Sequence, residues 1–166
     1  MTESTVNTHL YVVFTLDELF YGIRLSAVVR VLRVVEITPL PNAPSIVMGI
    51  IDLGGRIIPV VNFRRRFQLV ERQLELSDQL IVAMTVRRDS HQDAGRLLAL
   101  AVDTVVGVRE MSAKDTTSAA TILPGLEYLE GVARTDEGLI LIHDLGTFLS
   151  LEEEKAFRVI MPVSTQ

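Results

Sequence analysis

The chain has 166 residues and a formal net charge of −5, with 48% hydrophobic residues but no cysteine and no tryptophan. The acidic balance argues against the basic footprint that nonspecific nucleic-acid binding needs. The missing cysteines exclude disulfides and thiolate chemistry, and the Val, Ile and Leu content is that of a β-rich core, not a disordered chain. Met1 to Leu10 carry neither a basic n-region nor an apolar h-region. The apolar stretches are interrupted by Arg30, Arg33, Asp52 and Arg56, well short of the roughly 20 residues that span a bilayer. A soluble, cytoplasmic protein with no direct membrane insertion is expected.

In chain order, His9 to Thr15 alternates as a strand, Asp17-Glu18 makes a turn, and Leu19 to Arg24 returns as a second strand. Ser26-Ala27 forms a brief helical turn before Val28 to Val35, a strand by its β-branched content. Pro39, Pro41 and Pro44 make residues 38–44 a stiff connecting loop, because proline removes backbone donors and fixes φ. Gly54-Gly55 predicts a two-residue hairpin turn between Gly49 to Leu53 and Arg56 to Val61. Arg64-Arg65-Arg66, between Phe63 and Phe67, reads as the solvated face of a short helix, and residues 68–79 read as a loop.

Leu80 to Arg87 and Arg96 to Asp103 are strands around a polar turn at Arg88 to Gly95. Thr104 to Arg109 continues the second half, and Ser112 to Ala120 is a small-residue loop. Gly131 to Thr135 and Leu139 to His143 form a second hairpin around Asp136-Glu137-Gly138, and a short C-terminal helix follows Thr147.

A repeat organises these elements. Tyr21 to Val31 reappears as Leu98 to Val108 in the same apolar rhythm, and Gly49 to Phe63 matches Gly131 to Leu145 without a gap. The two offsets, 77 and 82 residues, show that the loop between the matched segments changed length while the strand units kept theirs. The fold class expected is all-β: two five-stranded barrels packed together with short helices, few free edges and a groove between them. The division expected is a single domain over residues 10–149, with halves at about 16–80 and 81–149 and the first strand joining the second half. Residues 150–166 form a helix and tail.

Catalytic constellations are absent. Gly54-Gly55 lies between two strands, not between a strand and a helix as phosphate binding requires, and no nucleophile elbow occurs. Ser90, His91 and Asp93 are triad residue types, but triads assemble across a fold, not along one tripeptide. Asp89, His91 and Asp93 alternate and so define a rival reading, a metal-dependent hydrolase; a loop containing Gln92, Ala94 and Gly95 supplies neither frame nor second shell for it. His143 ends an apolar run as a satisfied sheet residue or an exposed one. Asp52, Asp103 and Asp144 sit at strand ends, where turn capping is the usual role. No enzyme, cofactor or metal is expected.

From Pro41-Asn42-Ala43-Pro44 through Gly49-Ile50-Ile51-Asp52-Leu53-Gly54-Gly55-Arg56-Ile57-Ile58-Pro59-Val60-Val61 the sequence resembles the CheW family. Members carry a comparable proline-asparagine loop, an Asn-Leu-Arg-Gly hairpin and an Ile-Pro-Val strand. The likeness runs from about Leu10 to Leu149 and includes Ala101-Val102-Asp103, Val105, Val108 and Tyr128-Leu129-Glu130-Gly131-Val132. The resemblance implies SH3-like barrels and a noncatalytic adaptor that joins chemoreceptor cytoplasmic tips to the regulatory domain of a CheA-like histidine kinase.

Carried onto this chain, the resemblance places kinase contact on Ile50, Leu53, Ile57 and Ile58. It places the receptor groove on Val28, Arg30, Val31, Gly54, Arg56, Val105 and Val108. The valines also read as core residues and Gly54 as a turn glycine. The family's hairpin arginine falls on Gly54 and the glutamate of its preceding strand on Arg30, which implies a divergent member with a rebuilt partner surface. Such a member would also suit a scaffold for another kinase or methyltransferase signalling pathway.

Overall fold

In the computed structural model, residues 7–85, 95–125, 128–147, 153 and 156 are described. Strand β1 (Thr8–Leu16) turns at Asp17 and Glu18, both at positive φ, into β2 (Leu19–Arg24). A 3-10 turn at Leu25–Ala27 leads to β3 (Val28–Arg33). After the proline loop come β4 (Val47–Leu53) and β5 (Arg56–Asn62), joined by Gly54 (φ 60°) and Gly55 (φ 91°), as the two-residue turn demands. Helix α1 (Phe63–Arg66) is capped by the Asn62 side chain, which accepts the Arg64 and Arg65 amides.

Strands β6 (Gln79–Thr85), β7 (Arg96–Val102) and β8 (Thr104–Ser112) follow. Residues 112–120 are not the plain loop expected, since they hold a 3-10 turn, β9 (Thr116–Ser118) and the start of α2 (Ala119–Ile122). A three-residue strand is too short to show an alternating pattern. Hairpin β10 (Leu129–Thr135) and β11 (Gly138–His143) completes the sheets.

The strands form two sheets, ordered β3-β6-β7-β5-β4 and β8-β1-β2-β11-β10-β9. Each curls toward closure: the segment after β3 returns to bridge Thr38 to Ile50 on β4, and β9 pairs with β10. A cut at residue 80 does not separate the sheets. Most of β6 and all of β7 follow it yet join the first barrel, while β2 precedes it yet joins the second, where β1 also lies. The repeats have exchanged strands, each giving a hairpin to the other's barrel.

The registers show that the repeat is structural. β5 pairs parallel with β7 through Val60 and Ala99, and β11 pairs parallel with β2 through Ile142 and Gly22, which are the same two positions after the offsets of 82 and 77. β3 bulges past Val29 against β6, and β8 is irregular at Val106 against β1, again equivalent positions.

Three cores result. Ile51, Ile58, Val60, Leu80, Val82 and Ala99 fill the first barrel, and Tyr11, Val13, Met111, Ala133, Ile140 and Ile142 the second. A larger cluster lies between them, built on Phe14, Leu16, Tyr21, Ile23, Phe63, Ile81, Leu98 and Leu100. Strand side chains alternate, so β1 and β6 send one row into a barrel and the other into the shared core. Both read as continuous apolar runs for that reason.

Asp89, Ser90, His91 and Asp93, with the polar turn expected around them, and the residues from Phe148 on other than Glu153 and Ala156 lie outside the described residues; Glu153 and Ala156 are helical. Among the described residues no helix is long and apolar enough to cross a membrane.

Candidate interaction surface

The first hairpin divides its predicted contact residues by strand alternation. Ile57 is 51% exposed, whereas Ile58 is 1% exposed and belongs to the first barrel's core, so it is removed from the contact surface. Ile50 and Leu53 are half-buried, and Leu53 packs against that core. The tip is held by Asp52, whose carboxylate accepts the Gly55 amide at 2.9 Å, the capping role expected of it. Gly54 and Arg56 are exposed there, and the Arg56 guanidinium has no ion-pair partner among the described residues.

Strands β3 and β8 carry the remaining candidates. Val28 and Val105 are half-buried and pack against the shared core, which seats the two strands. Beyond the bulges, Val31 and Val108 are 37% and 47% exposed, and Arg30 is exposed. Two residues were missed: Val29 and Val106 are also exposed. Simple alternation gives no outward place to both Val29 and Arg30, and only a bulge supplies one.

The two strands are tied together. Gln79 lies opposite Arg33 in the β3–β6 pairing, and its side-chain oxygen accepts the Val105 amide at 2.6 Å, which seats the start of β8 beside the end of β3.

The arginine run is not a solvated face. Arg64 is buried, donating to Asp17 at 2.8 Å and to both Asp103 oxygens at 2.9 Å. Arg72 donates to Asp103 and, at 2.8 Å, to the buried Asp78. Arg65 pairs with Glu71, and Arg66 pairs with Glu153 and lies over the Tyr128 ring. Burial opposes the charge on Arg64, but Asp103 and Asp17 outweigh it and raise its pKa. Burial likewise raises the Asp103 pKa, and the Asp17 amide with Arg64 and Arg72 reverses this to a net lowering. Asp103 is therefore more than a turn cap: with Arg64 it fixes the β1–β2 turn of the second barrel to α1 of the first.

His143 is buried, stacked 4.2 Å from Phe67 and 5.3 Å from Tyr21. Its Nδ1 lies 3.2 Å from the Tyr128 carbonyl and so carries the proton, while Nε2 is buried without a partner among the described residues. Burial pushes its pKa down to about 4. Asp144 caps a turn by accepting the Gly146 amide at 2.8 Å. Beside it is a cleft of about 230 Å³ bordered by Arg24, Ser26, Met84, Glu130, His143 and Gly146. Among the described residues no cluster of His, Asp and Glu is placed to hold a metal ion.

Residues 10–153 match the model of the CheW-like domain. Over 144 residues the chain is 30% identical to the chemotaxis protein CheW of Treponema pallidum, covering 86% of this chain and 82% of that one. It is 28% identical over 102 residues to the protein FrzA of Myxococcus xanthus, covering 61% and 59%. The crystal structure of the scaffolding protein TtCheW from Thermoanaerobacter tengcongensis superposes with a TM-score of 0.74 at 28% identity, covering 89% of this chain and 96% of that one. The chain belongs to the CheW-like domain family, the noncatalytic scaffolds of chemotaxis signalling.

Proposed function

We propose that this chain couples chemoreceptor cytoplasmic tips to a CheA-like histidine kinase. The first hairpin meets the kinase regulatory domain through Ile57, with Ile50 and Leu53 behind it. The receptor lies along Val31 and Val108, flanked by Arg30, Gly54 and Arg56. Two weak faces on one rigid body raise the effective concentration of kinase and receptor for each other, so no chemistry is required.

The observation that carries this reading is Ile57, a half-exposed β-branched residue at the head of a strand whose next five residues are all buried. Calorimetry with the kinase regulatory domain tests it. Ile57→Asp is expected to weaken binding at least about tenfold, the loss of one well-packed apolar anchor, while leaving the fold intact. Unchanged affinity in a folded variant overturns the kinase assignment.

A second reading, a scaffold for another kinase or methyltransferase pathway, is favoured by Arg30 and Gly54. The double exchange Arg30→Glu with Gly54→Arg separates the two: a gain of receptor binding supports the second reading.

A further inference from the structure

The repeat builds one seat twice and fills it once. After the offsets of 82 and 77, Met48, Asn62 and Arg64 correspond to Glu130, Asp144 and Gly146, and Ala101 and Asp103 correspond to Arg24 and Ser26. In the first copy these residues border a gap of only about 10 Å³, because the Arg64 guanidinium occupies the seat and donates to both Asp103 oxygens at 2.9 Å. In the second copy the same positions border the cleft of about 230 Å³, and Gly146 has no side chain to put into it.

The charges differ along with the space. Apolar Met48 and Ala101 give way to the Glu130–Arg24 pair at 2.7 Å, and the neutral cap Asn62 gives way to Asp144, although a carboxamide makes the same turn hydrogen bond. One guanidinium therefore faces two carboxylates. Glu130 gives one oxygen to Arg24 and Asp144 gives one to the Gly146 amide, and the second oxygen of each has no partner among the described residues. His143, 4% exposed, also borders the cleft, and its Nε2 is a further acceptor without a donor among the described residues. The open seat lacks N–H donors and a positive charge, which are what Arg64 supplies to its twin.

We infer that this cleft is a binding site for a guanidinium-bearing ligand, which enters it as Arg64 enters the twin seat and sets its N–H groups on Glu130, Asp144 and Ser26. A planar fork of donors serves two carboxylates at once, which the point charge of an ammonium does less well. Free arginine-like molecules and the arginine side chain of a protein partner carry the same head group. The site shares no residue with the hairpin and β3–β8 contacts proposed above, so it stands or falls apart from them.

The test is a nuclear magnetic resonance titration of the isotope-labelled full chain with methylguanidinium, using neutral methylurea and cationic methylammonium as controls. Methylguanidinium is expected to shift the amides of Ser26, Glu130 and Gly146 and to bind at least about tenfold tighter than either control. Asp144→Asn, which keeps an oxygen for the Gly146 amide, is expected to weaken binding about tenfold with the fold intact. G146R/S26D, which rebuilds the filled seat, is expected to abolish it. Equal affinity for the three probes, shifts spread over the acidic surface and not gathered at the cleft, or wild-type affinity in Asp144→Asn overturns the inference, as does wild-type affinity in a folded G146R/S26D. If G146R/S26D does not fold, Asp144→Asn decides alone. A last pair of titrations separates the sources: tighter binding of L-arginine than of a capped Gly-Arg-Gly peptide supports a free ligand in the cleft, the reverse order supports a partner's arginine there, and failure of both to bind overturns the assignment.

Discussion

The turn after β5 and the turn after β11 are equivalent in the repeat, and they have been put to different uses. Asn62 accepts the Arg64 amide at 2.9 Å, and Asp144 accepts the Gly146 amide at 2.8 Å, so the backbone is built the same way twice. In the first copy the third residue is Arg64, whose side chain fills the seat and meets Asp103. In the second copy it is Gly146, and Ser26 stands where Asp103 would be. The seat is then an open cleft of about 230 Å³ crossed by the Arg24–Glu130 pair at 2.7 Å. One fold position is locked by buried charge and its twin is left open, so the strand frame is separable from what fills it.

Removing each charge system breaks this comparison most strongly. Arg64→Met leaves Asp17 without its ion pair and Asp103 with Arg72 alone, and should cost about 4 kcal/mol by urea unfolding. Arg24→Met removes a pair whose side chains are each roughly one-third exposed, and should cost under about 1 kcal/mol. Equal costs would show that the two seats carry the same load and that the open cleft is only a difference of shape.

The crossing glycines come next and test what the halves share. A Cβ on Gly49 would lie 2.3 Å from the Thr38 carbonyl oxygen, and one on Gly131 would lie 2.6 Å from the Thr117 carbonyl oxygen. Each glycine lets the closing segment of its barrel pass, and neither obstacle is a movable side chain. Gly49→Ala should cost about 3 kcal/mol and Gly131→Ala somewhat less. Gly54→Ala, in open space at the hairpin tip, should act through its positive φ alone, at about 1 kcal/mol. Differential scanning calorimetry of the three variants gives the order, and a Gly49→Ala protein as stable as Gly54→Ala would show that barrel closure is not tight.

The repeat was readable in the sequence because apolar rhythm and glycine positions record strand register directly. Val28 to Val31 and Val105 to Val108 announced equivalent strands, and Gly49 and Gly131 announced equivalent hairpins. Beyond the first strand, expected with the second half, the sequence did not disclose which strands pair with which: an exchange of hairpins between repeats leaves every local pattern unchanged, so the pattern suggests a cut at residue 80. The bulges hid Val29 and Val106, because a bulge alters facing without altering composition. Arg64-Arg65-Arg66 was misread for another reason. Its acidic partners Asp17, Asp103, Glu71 and Glu153 are scattered along the chain, and a run of like charges shows its solvation only once those partners are in place.

One shared-core position is filled differently by the two halves. Val61 in the first copy corresponds to His143 in the second, and both are buried. A valine is indifferent to pH. His143 is held neutral in the fold with its pKa down at about 4, against an ordinary 6.5 in the unfolded chain. A group whose folded pKa is depressed and whose unfolded form takes up the proton first stabilises the fold fully above pH 6.5, and loses that contribution as pH falls toward 4. Between pH 7 and pH 5 the loss should be about 2 kcal/mol. His143→Phe keeps a ring against Phe67 and Tyr21 and should flatten the unfolding free energy over that range, while wild type and Arg64→Met keep the slope. Asp103, whose pKa is lowered, contributes above the ordinary carboxylate range and loses its contribution only below it, so it does not mimic His143 between pH 7 and 5. A slope that persists in His143→Phe would assign the titration to another group and leave this shared-core difference without energetic consequence.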